Sequence, residues 1–329
     1  MNALKELLII IRSLSEESIR HLIDVANNLL LSTPQATPAC PRCHDKHVIK
    51  YGAKCGKQRF RCKNCGKTFV TTTHTIMAES HQPESVWAQV LSDTLEFKSI
   101  DQTAEELQLS HPCVFHMRHK ILLALCQLQD STGIVLGGVS ELDETYVLEC
   151  YKGKNLPDSL ERKPRKHGAV AEKPVLSSEQ ICILSGVQRQ GNAFAVTVNR
   201  AKPSSEELNT AFKEHISSDA MLLTDGLRGY HSLAKQCKCE LHVIDPKEKQ
   251  GGFYHLNNVN SFHSYIKEQY RAFRGVATKY LNRYNALFAL AYRLSEDAVA
   301  NLQDALLRVG SSNFQHTIRD VKTLNLLAI

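Results

Sequence analysis

No apolar run in this 329-residue sequence approaches the ~18 residues that a membrane-spanning helix needs. Near the start, "LLIII" is only five residues long and is closed by Arg12, too short for a signal-peptide core. Neither a membrane span nor a secretory leader is therefore expected, and the reading is of a cytoplasmic protein. The sequence also lacks an internal repeat and any large excess of one charge. Charged residues make up 22%, and the net charge of +6 is mildly basic: compatible with a nucleic-acid partner, without requiring one.

Cysteine is not scarce. Eleven are present, an odd number, and in a chain without a secretion signal they argue for metal ligation rather than disulfides. "CPRC" at 40–43 and "CKNC" at 62–65 form two C-x₂-C pairs, each able to supply one edge of a tetrahedral site, with a hairpin-length segment between them. Cys40, Cys43, Cys62 and Cys65 are expected to hold one structural zinc per chain in a zinc ribbon over residues 35–72. Cys55, inside the hairpin, is a bystander. The ribbon carries Lys50, Lys54, Lys57, Arg59, Arg61, Lys63 and Lys67, with Tyr51, Phe60 and Phe69 interleaved. That surface can neutralise phosphates, although a solvated basic face is the plainer alternative.

Around the ribbon, residues 1–34 show helical spacing after a Ser15-led start, and "STPQATPACP" breaks the pattern as a linker. Residues 80–130 read as helical. "SIDQTAEELQLSHPCVFHMRHKILLAL" predicts a short helix, a break at Ser110-His111, and a second helix opened by Pro112. Ala104, Leu107, Leu109, Val114 and Met117 would fill a helix-turn-helix core, with His111, His116, Arg118, His119 and Lys120 on the exposed face. From about 136 the pattern turns to β-rich runs at 137–149, 180–188 and 193–199. A helix follows at 204–216, opened by a Ser204/Glu207 capping box. Next come a strand ending in Asp225, a helix near 228–236, the strand "LHVID" and two long closing helices. This order predicts a multidomain α/β chain ending in a mixed sheet flanked by helices. The polar, basic stretch 151–178 reads as a mobile loop.

Two aspartates in strand settings, Asp143 in "SELDETYV" and Asp225 in "LLTDGLRGY", precede the amphipathic helix "HLNNVNSFHSYIKEQYRAF". Such a set suits two-metal phosphoryl transfer, in which paired Mg²⁺ ions take hard oxygen ligands. One thing is missing, because the helix carries asparagines where a third carboxylate is wanted. Glu141 shares a strand face with Asp143 and Glu144 does not; either could be a decoy.

Taken together, "ELDETYV", "LLTDGLRGY" and "HLNNVNSFHSYIK" behind a CxxC…CxxC ribbon resemble the bacterial insertion-sequence transposases of the ISXO-like group, over residues 35–295. The resemblance implies an RNase H-like catalytic domain of the DDE type, here at 136–298, with 299–329 as a C-terminal tail. It places the catalytic set on Asp143, Asp225, Asn260 and Lys267, and its H-x-N on His255 and Asn257, as residues that shape the substrate site. Two Mg²⁺ or Mn²⁺ ions would be held by Asp143, Asp225 and Asn260. Helix geometry agrees, since Asn260 and Lys267 lie about 20° apart around the axis. The activity so implied is binding of terminal inverted repeats, metal-dependent strand cleavage and 3′-hydroxyl strand transfer. Double-stranded DNA and further copies of the same chain would be the partners, with nucleoid association when active and no membrane. A transposase-derived DNA-binding regulator without catalysis is the alternative.

Overall fold

The computed structural model describes residues 38–54, 56–132, 135–152, 180–200, 202–245, 252–273 and 275–292, with Arg319 and Val321. The expected N-terminal helical segment, Cys55, nearly all of the basic loop and the C-terminal tail apart from Arg319 and Val321 lie outside the described residues. No helix among the described residues is long and apolar enough to cross a membrane. The chain divides into two compact units, Met1–Thr71 and Thr72–Ile329.

The first unit holds a three-stranded antiparallel sheet, β1 (Val48–Lys54), β2 (Lys57–Cys62) and β3 (Thr68–Val70). Its core is small: Phe60 stacks on Phe69 at 5.6 Å between centroids, beside Cys40 and Cys62. So little apolar area cannot stabilise some thirty residues without a further cross-link, and the four sulfurs supply the place for one.

The second unit opens with helices α1 (Glu84–Leu95), α2 (Ile100–Glu106) and α3 (His111–Thr132). Strands β4 (Val139–Leu148), β5 (Gln180–Gln188) and β6 (Ala193–Arg200) follow. The chain then runs through α4 (Ser205–Phe212), β7 (Met221–Thr224), α5 (Gly229–Cys237) and β8 (Glu240–Val243), ending in α6 (Asn257–Ala272) and α7 (Leu281–Ala291). The sheet order is β6-β5-β4-β7-β8. β4, β5 and β6 pair antiparallel, whereas β7 runs parallel to β4 and β8 parallel to β7.

Alternation along the strands divides the core into two layers. Ile181, Ile183 and Val187 of β5 face α1, α3, α6 and α7, while Cys182 and Leu184 face α4 and α5. Gly186 lies on the second face, where a Cβ would come within 2.4 Å of the Leu136 side chain and 2.8 Å of Leu142. The expected Ser204/Glu207 capping box opens α4, with Ser204 Oγ accepting the Glu207 amide at 3.2 Å.

The helical segment differs from its expected role. Ala104, Val114 and Met117 are buried as anticipated, with Leu107 and Leu109 packed beside the core. Arg118, His119 and Lys120, however, are buried rather than displayed. Arg118 donates to the Lys98 carbonyl at 2.7 Å and Lys120 to the Ala78 carbonyl at 2.8 Å. His119 packs between Phe115 and Tyr280 and contacts Arg283, and burial, then the charge of Arg283, holds its ring neutral. The cause is length: α3 runs for 22 residues and shares one hydrophobic core with the sheet, so its middle turns, 117–125, are buried on every side. His111 stays exposed and His116 half-exposed.

Candidate active site and metal centre

In the first unit the four expected cysteines converge. Cys40 Sγ lies 3.7 Å from Cys65 Sγ, and Cys43 Sγ 3.5 Å from Cys62 Sγ. A tetrahedral ZnS₄ site with ~2.3 Å bonds has edges of ~3.8 Å, so the donor set fits zinc. Burial raises the Cys40 thiol, but the backbone amides of Arg42 and Cys43 outweigh it and leave that thiol lowered to about 7. Cys43 goes the other way: its backbone hydrogen bond at Asp45 is outweighed by burial and the neighbouring sulfurs, which push its thiol up to about 12, so a metal entering here would displace protons from the cluster.

In the second unit, register brings the two aspartates level. β4 and β7 pair as Glu141↔Leu223, so two residues further on Asp143 stands beside Asp225, just past the end of β7. Gly226 turns the chain away with φ of +96°, and Asp225 Oδ1 accepts the Leu227 amide at 3.3 Å. A third acid joins them. Ligand atoms of Asp143, Glu144 and Asp225 all lie within 4.8 Å of one another, and the set fits one or two hard divalent cations. Burial, then the charges of Glu144 and Asp225, pushes the Asp143 carboxyl up to about 7, against the pull of the Glu144 amide and Lys267. Glu144 is raised too, first by burial and then by Asp225.

α6 lies over Asp143. Its apolar stripe, Val259, Phe262, Ile266 and Tyr270, is buried, while Asn260 and Lys267 are exposed. His263, unremarked in the sequence, is buried with Nδ1 3.7 Å from Asp143 Oδ2. Asn260, His263 and Lys267 fall within a sector of about 60° around the helix axis. Burial, then Lys267, holds the His263 ring at about 3, so it stays neutral in ordinary buffers.

The first turn of α6 has no side-chain cap of its own. Glu141, wholly buried, takes that place from β4. Its Oε2 accepts the amides of Asn258 at 2.8 Å and Val259 at 3.1 Å, and its Oε1 accepts Asn258 Nδ2 at 2.7 Å. Arg189 donates to Glu141 at 2.8 Å, to the Phe253 carbonyl at 2.8 Å and to the His255 carbonyl at 3.1 Å. His255 Nδ1 accepts the Asn257 amide at 3.3 Å, so His255 sits in this network behind the acids, and Asn257 is exposed at the first helical position. Sequence reading missed Arg189 altogether. The one available signal was Glu141, an acid on the same strand face as Asp143.

Residues 135–294 match the family model of the ISXO2-like transposase domain. This part of the chain is an ISXO2-like transposase domain. An uncharacterized protein in transposable element ISH50 of Halobacterium salinarum is 27% identical over 257 residues, covering 76% of this chain and 84% of that protein. Likeness to solved structures is slight. A pre-cleavage Mos1 transpososome has a TM-score of 0.30 at 10% identity, over 73% of this chain and 82% of the other. A simian T-cell lymphotropic virus intasome in complex with PP2A regulatory subunit B56 gamma has a TM-score of 0.29 at 10% identity, over 47% of this chain and 49% of the other. The acid cluster and α6 both lie inside the span of the transposase domain.

Proposed function

We propose that the chain is a DNA transposase that binds the terminal inverted repeats of an insertion sequence, cleaves their strands with divalent metal, and joins the freed 3′-hydroxyl to target DNA. One observation carries this reading: within the transposase-domain match, Asp143 on β4 and Asp225, just past the end of the parallel strand β7, stand level beneath a helix bearing Lys267. The strand order, with three antiparallel strands followed by two parallel ones, supports an RNase H-like core.

Bound Mg²⁺ or Mn²⁺ would stabilise charge on the attacking and leaving oxygens. Asp143 and Asp225 would hold two such ions, with the Asn260 carbonyl as a neutral oxygen donor. Lys267, exposed on the same sector, would contact the DNA phosphate. His255 and Asn257 shape the substrate site by fixing the start of α6. Cys40, Cys43, Cys62 and Cys65 would hold one zinc, and the basic strands of the ribbon would neutralise backbone phosphates. Joining two element ends requires more than one copy of the chain, so a homo-oligomer would act on double-stranded DNA.

The test is nicking of a labelled duplex carrying an element end, in Mg²⁺, by the zinc-loaded chain. Asp143→Ala and Asp225→Ala should lose at least about 100-fold in rate while binding the duplex nearly as wild type does. Wild-type nicking by either variant would overturn the reading.

A further inference from the structure

We propose that Glu144 is the third carboxylate of the site and a metal ligand in its own right, reaching the ions from the opposite face of the sheet to α6. The inference rests on the metal-dependent reading above and names a ligand that reading left out.

α6 has no acid in position. Its nearest, Glu268, follows Asn260 by eight residues, about 12 Å along the axis. Charge counting shows what is missing. Two divalent cations carry four positive charges; Asp143, Asp225 and one bridging phosphodiester return three negative ones, and Asn260 returns none. Glu144 supplies the fourth.

The geometry explains how an acid on the wrong face arrives. Glu144 follows Asp143 on β4, so its Cβ points toward the α5 layer. β7 has ended at Thr224, however, so beside Glu144 there is no strand to cover the edge, and the longer glutamate side chain turns round it toward Asp225. Tyr230 of α5, wholly buried, donates its hydroxyl to Glu144 Oε2 at 3.1 Å, leaving Oε1 for a cation. Two acids thus grip one position from opposite sides of the sheet.

Clustered acids alone would prove little. A second observation points to a ligand: His263, 6% exposed, aims Nδ1 at Asp143 from 3.7 Å while its buried Nε2 has no hydrogen-bond partner among the described residues. Three carboxylates and an underused imidazole, with Lys267 acting on Asp143 and Lys202 weakly on Glu144, form a site built around positive charge that a bound ion supplies.

The experiment titrates the zinc-loaded full chain with Mn²⁺ by calorimetry and measures duplex nicking in parallel. Glu144→Gln keeps the hydrogen bond from Tyr230 and removes only charge. It should weaken Mn²⁺ binding at least tenfold and raise the Mn²⁺ needed for half-maximal nicking by a similar factor. Glu144→Asp should fall between, and Tyr230→Phe should raise the requirement severalfold by releasing the carboxylate. Wild-type Mn²⁺ affinity in Glu144→Gln overturns the assignment. Should that variant not fold, unchanged affinity in both Glu144→Asp and Tyr230→Phe overturns it equally. Asp143→Asn separates the two levels: if it too binds Mn²⁺ as wild type does, the metal site itself is wrong, not merely its third acid.

Discussion

Asp143 carries the cost of its position. Its folded carboxyl lies at about 7 against an ordinary 3.8, so between those pH values the folded chain binds more protons than the unfolded one. Stability without metal therefore falls as pH rises from about 4 to about 7, and the penalty stays in full above that. Asp143→Asn should relieve it, raising the stability of the metal-free protein at pH 8 by ~1–2 kcal/mol even as cleavage disappears. Thermal melts of both proteins in chelator at pH 5 and pH 8 check this, and a gain no larger at pH 8 than at pH 5 would contradict it. For wild type, Mn²⁺ affinity should drop as pH falls through 7, because a cation must displace that proton. The same residues mark where sequence reading stopped. Asp143 and Asp225 were legible from strand ends and spacing, and the shared face of Glu141 and Asp143 from simple alternation. Glu144 was not, because alternation assigns it to the other face and only the early end of β7 undoes that. His263 was hidden by its own helix, where a histidine beside Phe262 and Ile266 reads as core.

Among the elements, α6 depends on a cap that another strand provides. Glu141→Gln would leave the half-buried Arg189 beside a neutral partner and weaken two amide bonds at the helix start. Removing one partner of a buried pair costs ~3–5 kcal/mol, and the helix bearing Asn260, His263 and Lys267 would lose its anchor. We expect a large fall in melting temperature and loss of nicking, with zinc content unchanged; a variant that melts as wild type does would show the cap to be dispensable. α3 makes an opposite prediction from the one its sequence invites. Arg118→Ala should destabilise the fold by ~3 kcal/mol or more, and at temperatures where the variant is folded its DNA affinity should stay within about twofold of wild type. A purely electrostatic loss of DNA binding with unchanged stability would restore the recognition-helix reading. Strand positions were legible to within a residue or two: 137–149 against Val139–Leu148, and 180–188 against Gln180–Gln188. Burial of a basic helix face was not, because Tyr280 and Arg283, which close over His119, come from some 160 residues away.

For the whole molecule, the division at Thr71 separates two ways of being stable. Residues 72–329 bury two apolar layers around a sheet, whereas the ribbon has one aromatic pair and four sulfurs. Zinc removal should therefore unfold the ribbon and leave the melting of the larger unit within a few degrees of its original value. Cys62→Ser should do the same without chelator, and metal analysis should find less than one zinc per chain. Full zinc occupancy in that variant would refute the ligand assignment. Composition anticipates the metal, since two C-x₂-C pairs within an odd and plentiful cysteine count favour ligation over disulfides, but it gives no hint that helices 84–132 merge with the sheet.

The acid cluster is stitched through the sheet from both sides, by His263 above and by Tyr230 below. It has a consequence for a chain emerging from a ribosome. Residue 143 appears early and residue 225 later, but neither has its setting until residues beyond 260 have been made and docked. A truncated or half-folded product would hold its acids apart, in water, each ordinary. Under the proposed function, nicking of the host's chromosome is thus withheld until synthesis of the domain is nearly finished. The interlock needs no inhibitor and no second protein, only the order in which the strand, the turn and the helix are translated.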